Sequence, residues 1–142
     1  KFRSMRVNSD RSGLLTVGGR DSRITGAGYY LRKYKLDEFP QLYNVLIGDM
    51  SIVGPRPEVR KYVELYDEDQ KRVLEVKPGI TDLASIQYRN ENELLEKSKD
   101  PEEYYVKVIM PDKIRININY MNDRSIFKDI KVILKTIRVI FS

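Results

Sequence analysis

The stretch Leu36-Asp37-Glu38-Phe39-Pro40-Gln41-Leu42-Tyr43-Asn44-Val45-Leu46-Ile47-Gly48 places Leu36, Phe39, Leu42, Tyr43, Leu46 and Ile47 at three- and four-residue intervals and ends on a glycine. That spacing predicts an amphipathic helix over 36–47 with one face in the core, stopped by Gly48. Pro40 must lie in its first turn, where a missing N–H costs nothing. Asp37 and Glu38 therefore stand at the helix entrance. Just beyond, the short apolar run 50–53 reads as a strand that ends in Gly54-Pro55-Arg56-Pro57, a segment stiffened by two prolines.

Working outward, residues 24–33 read as a short helix with Thr25 as N-cap and Arg32 and Lys33 in the last turn, where cations suit the helix dipole. Residues 5–23 are rich in turn formers, among them Asp10, Ser12, Gly13, Gly18 and Gly19, and predict a loop or short hairpin. Downstream, 58–76 reads as a second helix, stopped by Lys77-Pro78-Gly79. A loosely alternating strand follows over 80–88, then short helices over 91–97 and 101–108, a helix begun by Pro111 and a closing helix from Ser125 onward. The class is α/β in the α+β sense: helix-rich, with a small sheet or hairpin, several short helices and amphipathic membrane-interface helices. A length of 142 residues predicts a single domain over 1–142.

Composition narrows the chemistry. The chain has neither cysteine nor histidine, which removes disulfides, cysteine-bearing zinc sites and any Cys or His nucleophile–base pair. Acid–base or nucleophilic work falls to Asp, Glu, Lys, Tyr, Ser or Thr. The net charge of +5 is uneven: residues 1–36 carry nine Lys/Arg against two Asp, residues 37–110 ten against sixteen acids, and residues 111–142 seven against three. Two basic ends around an acidic middle suggest an anionic partner, with nucleic acid, a phosphorylated metabolite and an anionic membrane all eligible. No stretch approaches the roughly 18 to 20 apolar residues of a transmembrane helix.

The residues most able to carry chemistry are Arg32, Asp37, Glu38 and Arg56. Adjacent carboxylates at a helix N-terminus can cap it; equally, one can attack or take a proton while the other holds a divalent cation. Arg56 between two prolines is either a guanidinium fixed for a phosphate or a solvated turn residue. Lys1 with Arg3, Arg20 with Arg23, and Lys33 with Lys35 form a phosphate-binding surface if the fold gathers them, and a solvated basic face if it does not; Lys77 is read the same way. In the last helix, Ile126, Ile130, Ile133, Ile137 and Ile140 form a stripe widened by Phe127, Leu134 and Phe141, with Lys128, Lys131, Lys135 and Arg138 mostly elsewhere on the circumference. Such a helix either lies in a membrane interface or packs on the core.

Lys1-Phe2-Arg3-Ser4-Met5, Leu31-Arg32, Leu36-Asp37-Glu38-Phe39-Pro40-Gln41-Leu42, Asn44-Val45-Leu46, Gly48-Asp49-Met50-Ser51, Val53-Gly54-Pro55-Arg56-Pro57 and Lys77-Pro78-Gly79-Ile80-Thr81 occur in this order. Together they resemble the ordered signature of the bacterial sugar transferases, the monotopic polyprenyl-phosphate hexose-1-phosphate transferases or phosphoglycosyl transferases. The resemblance implies a transferase of bacterial glycan assembly at the cytoplasmic face of the inner membrane. Its expected partners are a nucleotide-diphosphate sugar, a polyprenyl phosphate and the membrane interface, with no nucleic acid. By the same resemblance Asp37 is the nucleophile, Glu38 is associated with an essential Mg2+, and Arg32, Arg56, Lys1 and Arg3 bind phosphate or nucleotide. Members of the family also carry an N-terminal re-entrant hydrophobic helix, so the chain is expected to be the catalytic domain alone. It departs from many members at Asp82-Leu83-Ala84-Ser85 and Tyr88-Arg89-Asn90, a segment expected to bear on sugar identity, and at Lys35, which stands where a serine is common. The competing reading is a non-catalytic basic domain for nucleic acid or an anionic membrane. Against nucleic acid, the chain has no recognition motif of the RNA-binding kind.

Overall fold

The structure is a computed structural model that describes residues 1–9, 13–18 and 21–140. Helices dominate. The sheet is a parallel pair, β1 (Ser51–Val53) beside β2 (Gly79–Thr81), with Ser51 opposite Gly79 and Val53 opposite Thr81. A parallel pair needs a crossover, here residues 54–78, so the small sheet is not a hairpin. The two backbones close on each other at Gly79, where a Cβ would lie 2.2 Å from the Gly54 nitrogen, and only glycine fits there. Gly79 N–H donates to the Pro55 carbonyl at 2.9 Å, which fixes the Gly-Pro-Arg-Pro segment to the strand ends. The 5–23 segment is irregular over its described residues and is closed by one antiparallel bridge from Met5 to Ile24.

The first helix is α1 (Gly26–Lys33), and Thr25 caps it by accepting from the Gly28 N–H, as the sequence predicts. The 36–47 stretch differs from its expectation in two ways. Pro40 cannot donate to the Leu36 carbonyl, so the segment splits into a 3-10 turn, Leu36–Glu38, and a short helix α2 (Gln41–Leu46). Its apolar face is also not in the core: Phe39, Leu42, Tyr43, Leu46 and Ile47 are exposed, Leu46 at 85%, whereas Asp37 and Glu38 point inward.

The 58–76 helix is likewise two pieces, α3 (Arg60–Val63) and a 3-10 helix Gln70–Glu75. Asp67 Oδ1 accepts from the Gln70 N–H at 2.7 Å while Gln70 Oε1 accepts from the Asp67 N–H at 3.2 Å. This reciprocal capping box starts a new helix where the apolar pattern suggested continuation. The 80–88 strand ends at Thr81, because Asp82 caps α4 (Leu83–Gln87) by accepting from the Ser85 N–H at 2.5 Å. After α5 (Glu91–Glu96) comes α6 (Pro101–Tyr104), which runs through a π-helical segment, Tyr105–Ile109, into α7 (Met110–Asn122). The wider turn admits Pro111 without ending the helix.

The larger core gathers Tyr62, Tyr66, Val73, Leu95, Tyr105, Ile109, Met110 and Ile114. A smaller one joins Val53 of β1, Tyr120 of α7 and Val132 of the closing helix α8 (Ile126–Ile140). The isoleucine stripe of α8 is divided: Ile133 packs beside the smaller core, while Ile126, Phe127, Ile130, Leu134 and Ile137 share an exposed face, Phe127 at 85%. Phe141 lies outside the described residues. Among the described residues no helix is long and apolar enough to cross a membrane.

Candidate active site

Asp37 and Glu38 are 2% and 7% exposed. Neither caps a helix; both 3-10 turn and α2 begin without a side-chain cap. The turn is held by the N-terminal segment, since the Phe2 N–H donates to the Asp37 carbonyl at 2.8 Å. That contact sets the Lys1 ammonium 3.7 Å from Asp37 Oδ2 and 3.4 Å from Glu38 Oε1. Lys35 enters the turn with φ of 56°, a left-handed conformation uncommon outside glycine that turns the chain so both acids face inward.

Arg56 meets Glu38 in a fork, Nη2 to Oε1 at 2.7 Å and Nη1 to Oε2 at 3.2 Å, and Nη1 also donates to the Ile80 carbonyl at 3.2 Å. Its backbone N–H donates to Asp82 Oδ2 at 2.9 Å. Arg56 is therefore locked by side chain and backbone together and is not a solvated turn residue. Burial alone would push the Glu38 carboxyl up; the Arg56 hydrogen bonds and charge, with Lys1 and Lys35, outweigh it and hold Glu38 below the ordinary glutamate range. Burial pulls the Lys35 ammonium down, against the opposing pull of Glu38.

Arg32 reaches the same place from α1. Its Nε donates to Ser4 Oγ at 2.9 Å and its Nη1 to Thr16 Oγ1 at 3.4 Å. Gly28 allows this approach, because a Cβ there would sit 2.0 Å from the Ser4 carbonyl. The result is a cavity of about 440 Å³ lined by Lys1, Arg32, Lys33, Lys35 and Arg56 around the two carboxylates, with Thr16 and Asn92 completing the wall. Five cations about two acids suit a polyanion larger than either acid.

Asp37 Oδ1 is buried without a hydrogen-bond partner among the described residues. An unsatisfied buried carboxylate oxygen is costly to the fold, and such atoms collect where chemistry requires them. Among the described residues no group of three or more Asp, Glu, His or Cys forms a metal cage. The donors present still fit magnesium, which is held in nucleotide sites by one or two carboxylates plus substrate phosphates.

Other cations read from the sequence have different places. Arg3 is exposed and does not line this cavity. Arg23 is a structural residue: it pairs with Asp21 at 2.6 Å and donates to the carbonyls of Ser9, Gly13 and Leu15. Arg20 lies outside the described residues. Lys77 brings its ammonium close to Gly48, at the C-terminal end of α2, where a cation suits the dipole. The sequence reading missed Ser4 and Thr16 as supports of Arg32, and Asp82 as the anchor of Arg56. Asp82-Leu-Ala-Ser85 carries a legible N-cap signal, but nothing local announces its second bond to Arg56.

The bacterial sugar transferase family matches over residues 1–142. The chain is 40% identical over 151 aligned residues to "Galactosyl transferase CpsE" of Streptococcus agalactiae serotype III (strain NEM316), covering 99% of this chain and 30% of that protein. It is 38% identical to the "Uncharacterized sugar transferase EpsL" of Bacillus subtilis (strain 168), over 97% of this chain and 59% of the relative. To the "UDP-glucose:undecaprenyl-phosphate glucose-1-phosphate transferase" of Klebsiella pneumoniae it is 38% identical, over 96% of this chain and 28% of the relative. The chain thus spans less than two thirds of the length of each. With the acidic pair, its locked arginine and a whole-chain match in agreement, the chain belongs to the bacterial sugar transferase family.

Proposed function

We propose that this chain is the catalytic domain of a phosphoglycosyl transferase, moving a sugar 1-phosphate from a UDP-sugar to undecaprenyl phosphate at the cytoplasmic face of the bacterial inner membrane. The observation that carries this reading is Asp37: a buried carboxylate with one oxygen that has no partner among the described residues, in a cavity ringed by cations. An Asp37 oxygen attacks the phosphorus that bears the sugar, and the bond from that phosphorus to the bridging oxygen breaks. Nucleoside monophosphate leaves with the electron pair, and the sugar phosphate remains on Asp37 as an acyl phosphate. A terminal oxygen of the polyprenyl phosphate then attacks the same phosphorus and expels the Asp37 carboxylate, giving a polyprenyl-diphosphate sugar. Lys1, Arg32 and Lys35 bind the diphosphate oxygens, while Arg56 orients Glu38 and adds charge. Glu38 and Asp37 would hold Mg2+, which when bound offsets the repulsion between carboxylate and diphosphate. A basic domain for nucleic acid is the less favoured reading, because its cations would face outward and these converge on buried acids.

The test is nucleoside monophosphate release from UDP-glucose, UDP-galactose and UDP-N-acetylgalactosamine. A burst of at most one equivalent is expected without acceptor, turnover with it, and neither after chelation of magnesium. No release from any donor in the presence of both acceptor and magnesium would overturn the assignment.

The exposed apolar faces of α2 and α8, with the α8 cations beside the second, fit a helix surface that lies on an anionic bilayer. Phe127, Leu134 and Ile137 changed together to Ser are expected to reduce co-sedimentation with anionic vesicles at least tenfold while leaving the melting temperature in place. Unchanged vesicle binding by the folded triple variant would exclude α8 as a membrane contact.

A further inference from the structure

A second cavity of about 750 Å³ lies between the α2 segment, β2, α4 and α8, within the roughly 300–1,000 Å³ of ligand sites. Its walls are mainly apolar, supplied by Leu36, Phe39, Leu42, Ile86, Val139 and Ile140. Lys33, Lys35, Glu38 and Arg56 line both this cavity and the one holding Asp37, so the two meet at those four residues. The α8 wall is pinned to the sheet: the hydroxyls of Thr81 and Thr136 are 2.7 Å apart, and Thr136 also donates to the Val132 carbonyl at 2.9 Å. An apolar trough that ends on two lysines and an arginine suits a hydrocarbon chain with a terminal phosphate.

We infer that this trough seats the first isoprene units of the polyprenyl phosphate, with its phosphate at Lys35 and Arg56 facing the Asp37 cavity. The inference rests on the proposed transfer reaction and adds where the acceptor lies. It also accounts for the inverted 36–47 segment: Leu36, Phe39 and Leu42 turn to a lipid chain while Asp37 and Glu38 turn to the phosphates.

A prenyl phosphate carrying a photoreactive diazirine tests the site without requiring turnover. Labelled peptides are expected to contain Phe39, Leu42 or residues 136–140, and labelling should be displaced by unlabelled prenyl phosphate but not by inorganic phosphate or phosphatidylglycerol. Labelling scattered over Leu46 and Phe127, or equal displacement by phosphatidylglycerol, would overturn the assignment in favour of a general lipid surface. Leu42→Gln, at a half-exposed position that spares the core, is expected to raise the KM for a water-soluble short-chain prenyl phosphate about tenfold. The acceptor-free burst should be unchanged, and Leu46→Gln, outside the trough, should alter neither. An unchanged acceptor KM in Leu42→Gln counts against the trough, whereas a wild-type protein with no burst at all counts against the transfer reaction and leaves the labelling result to judge the site.

Discussion

Asp37→Asn is expected to abolish both the acceptor-free burst and the covalent phosphosugar, lowering turnover by ~10³-fold or more, the scale on which loss of a nucleophile is felt. The fold should survive. Asp37 caps no helix, its Oδ1 has no partner among the described residues, and the nearest cation among them, Lys1, is 3.7 Å away, so the amide removes a buried charge and loses little. A melting temperature equal to or above that of the wild type is the expected companion result, since a site built for reaction is not built for stability. Intact mass spectrometry with UDP-sugar and magnesium, followed by peptide mapping, locates the adduct. Glu38→Gln should shrink the burst and leave the adduct on Asp37. An adduct on another residue, or normal turnover by Asp37→Asn, would sink the covalent mechanism.

Local signals carried the sequence reading as far as local physics reaches. Thr25 caps α1, Gly48 follows the end of α2, and β1 and α8 stand where the patterns put them, because caps, glycines and short apolar runs act within a turn or two. The direction of the 36–47 apolar face was not legible. Periodicity reports that one face is apolar but not what covers it, and here that face meets no protein core. The breaks at Asp67 and Asp82 were written in the sequence as capping patterns and were masked by the apolar runs on either side. The acidic pair was legible as a pair, and its dispute between cap and chemistry was not. Neither acid caps a helix, and the fork from Arg56 that holds Glu38 is a contact across eighteen positions that no local pattern contains. Lys35 was the least legible: its left-handed backbone is imposed by the turn it makes.

Arg56→Ala is expected to lower turnover by at least ~10²-fold, and to do so with a stability signature that identifies its partner. Removing the guanidinium leaves Glu38 buried beside Lys1 and Lys35, without the fork or the charge that outweighs its burial. In the wild type the Glu38 carboxyl lies below its ordinary value of 4.5, so its contribution to stability is fully present above that value and lost as pH falls through the lower, folded one. In the variant burial is opposed only by the charges of Lys1 and Lys35, so less of that contribution is expected to appear as pH rises. Thermal melts from about pH 4 to pH 7 should show a small deficit for Arg56→Ala in acid that widens toward neutrality, reaching about 1–3 kcal/mol. The Arg56 side chain is a third exposed, which keeps the deficit below that of a fully buried pair. Adding Glu38→Gln to Arg56→Ala should remove the pH dependence and recover most of the stability, yet restore no activity, because the isolated charge is gone while the orienting fork and its positive field are still missing. A deficit that stays constant across the pH range would mean that Arg56 acts through the Ile80 carbonyl and the strand end rather than through Glu38. Full turnover by the single variant would return Arg56 to a purely structural place in the Gly-Pro-Arg-Pro turn.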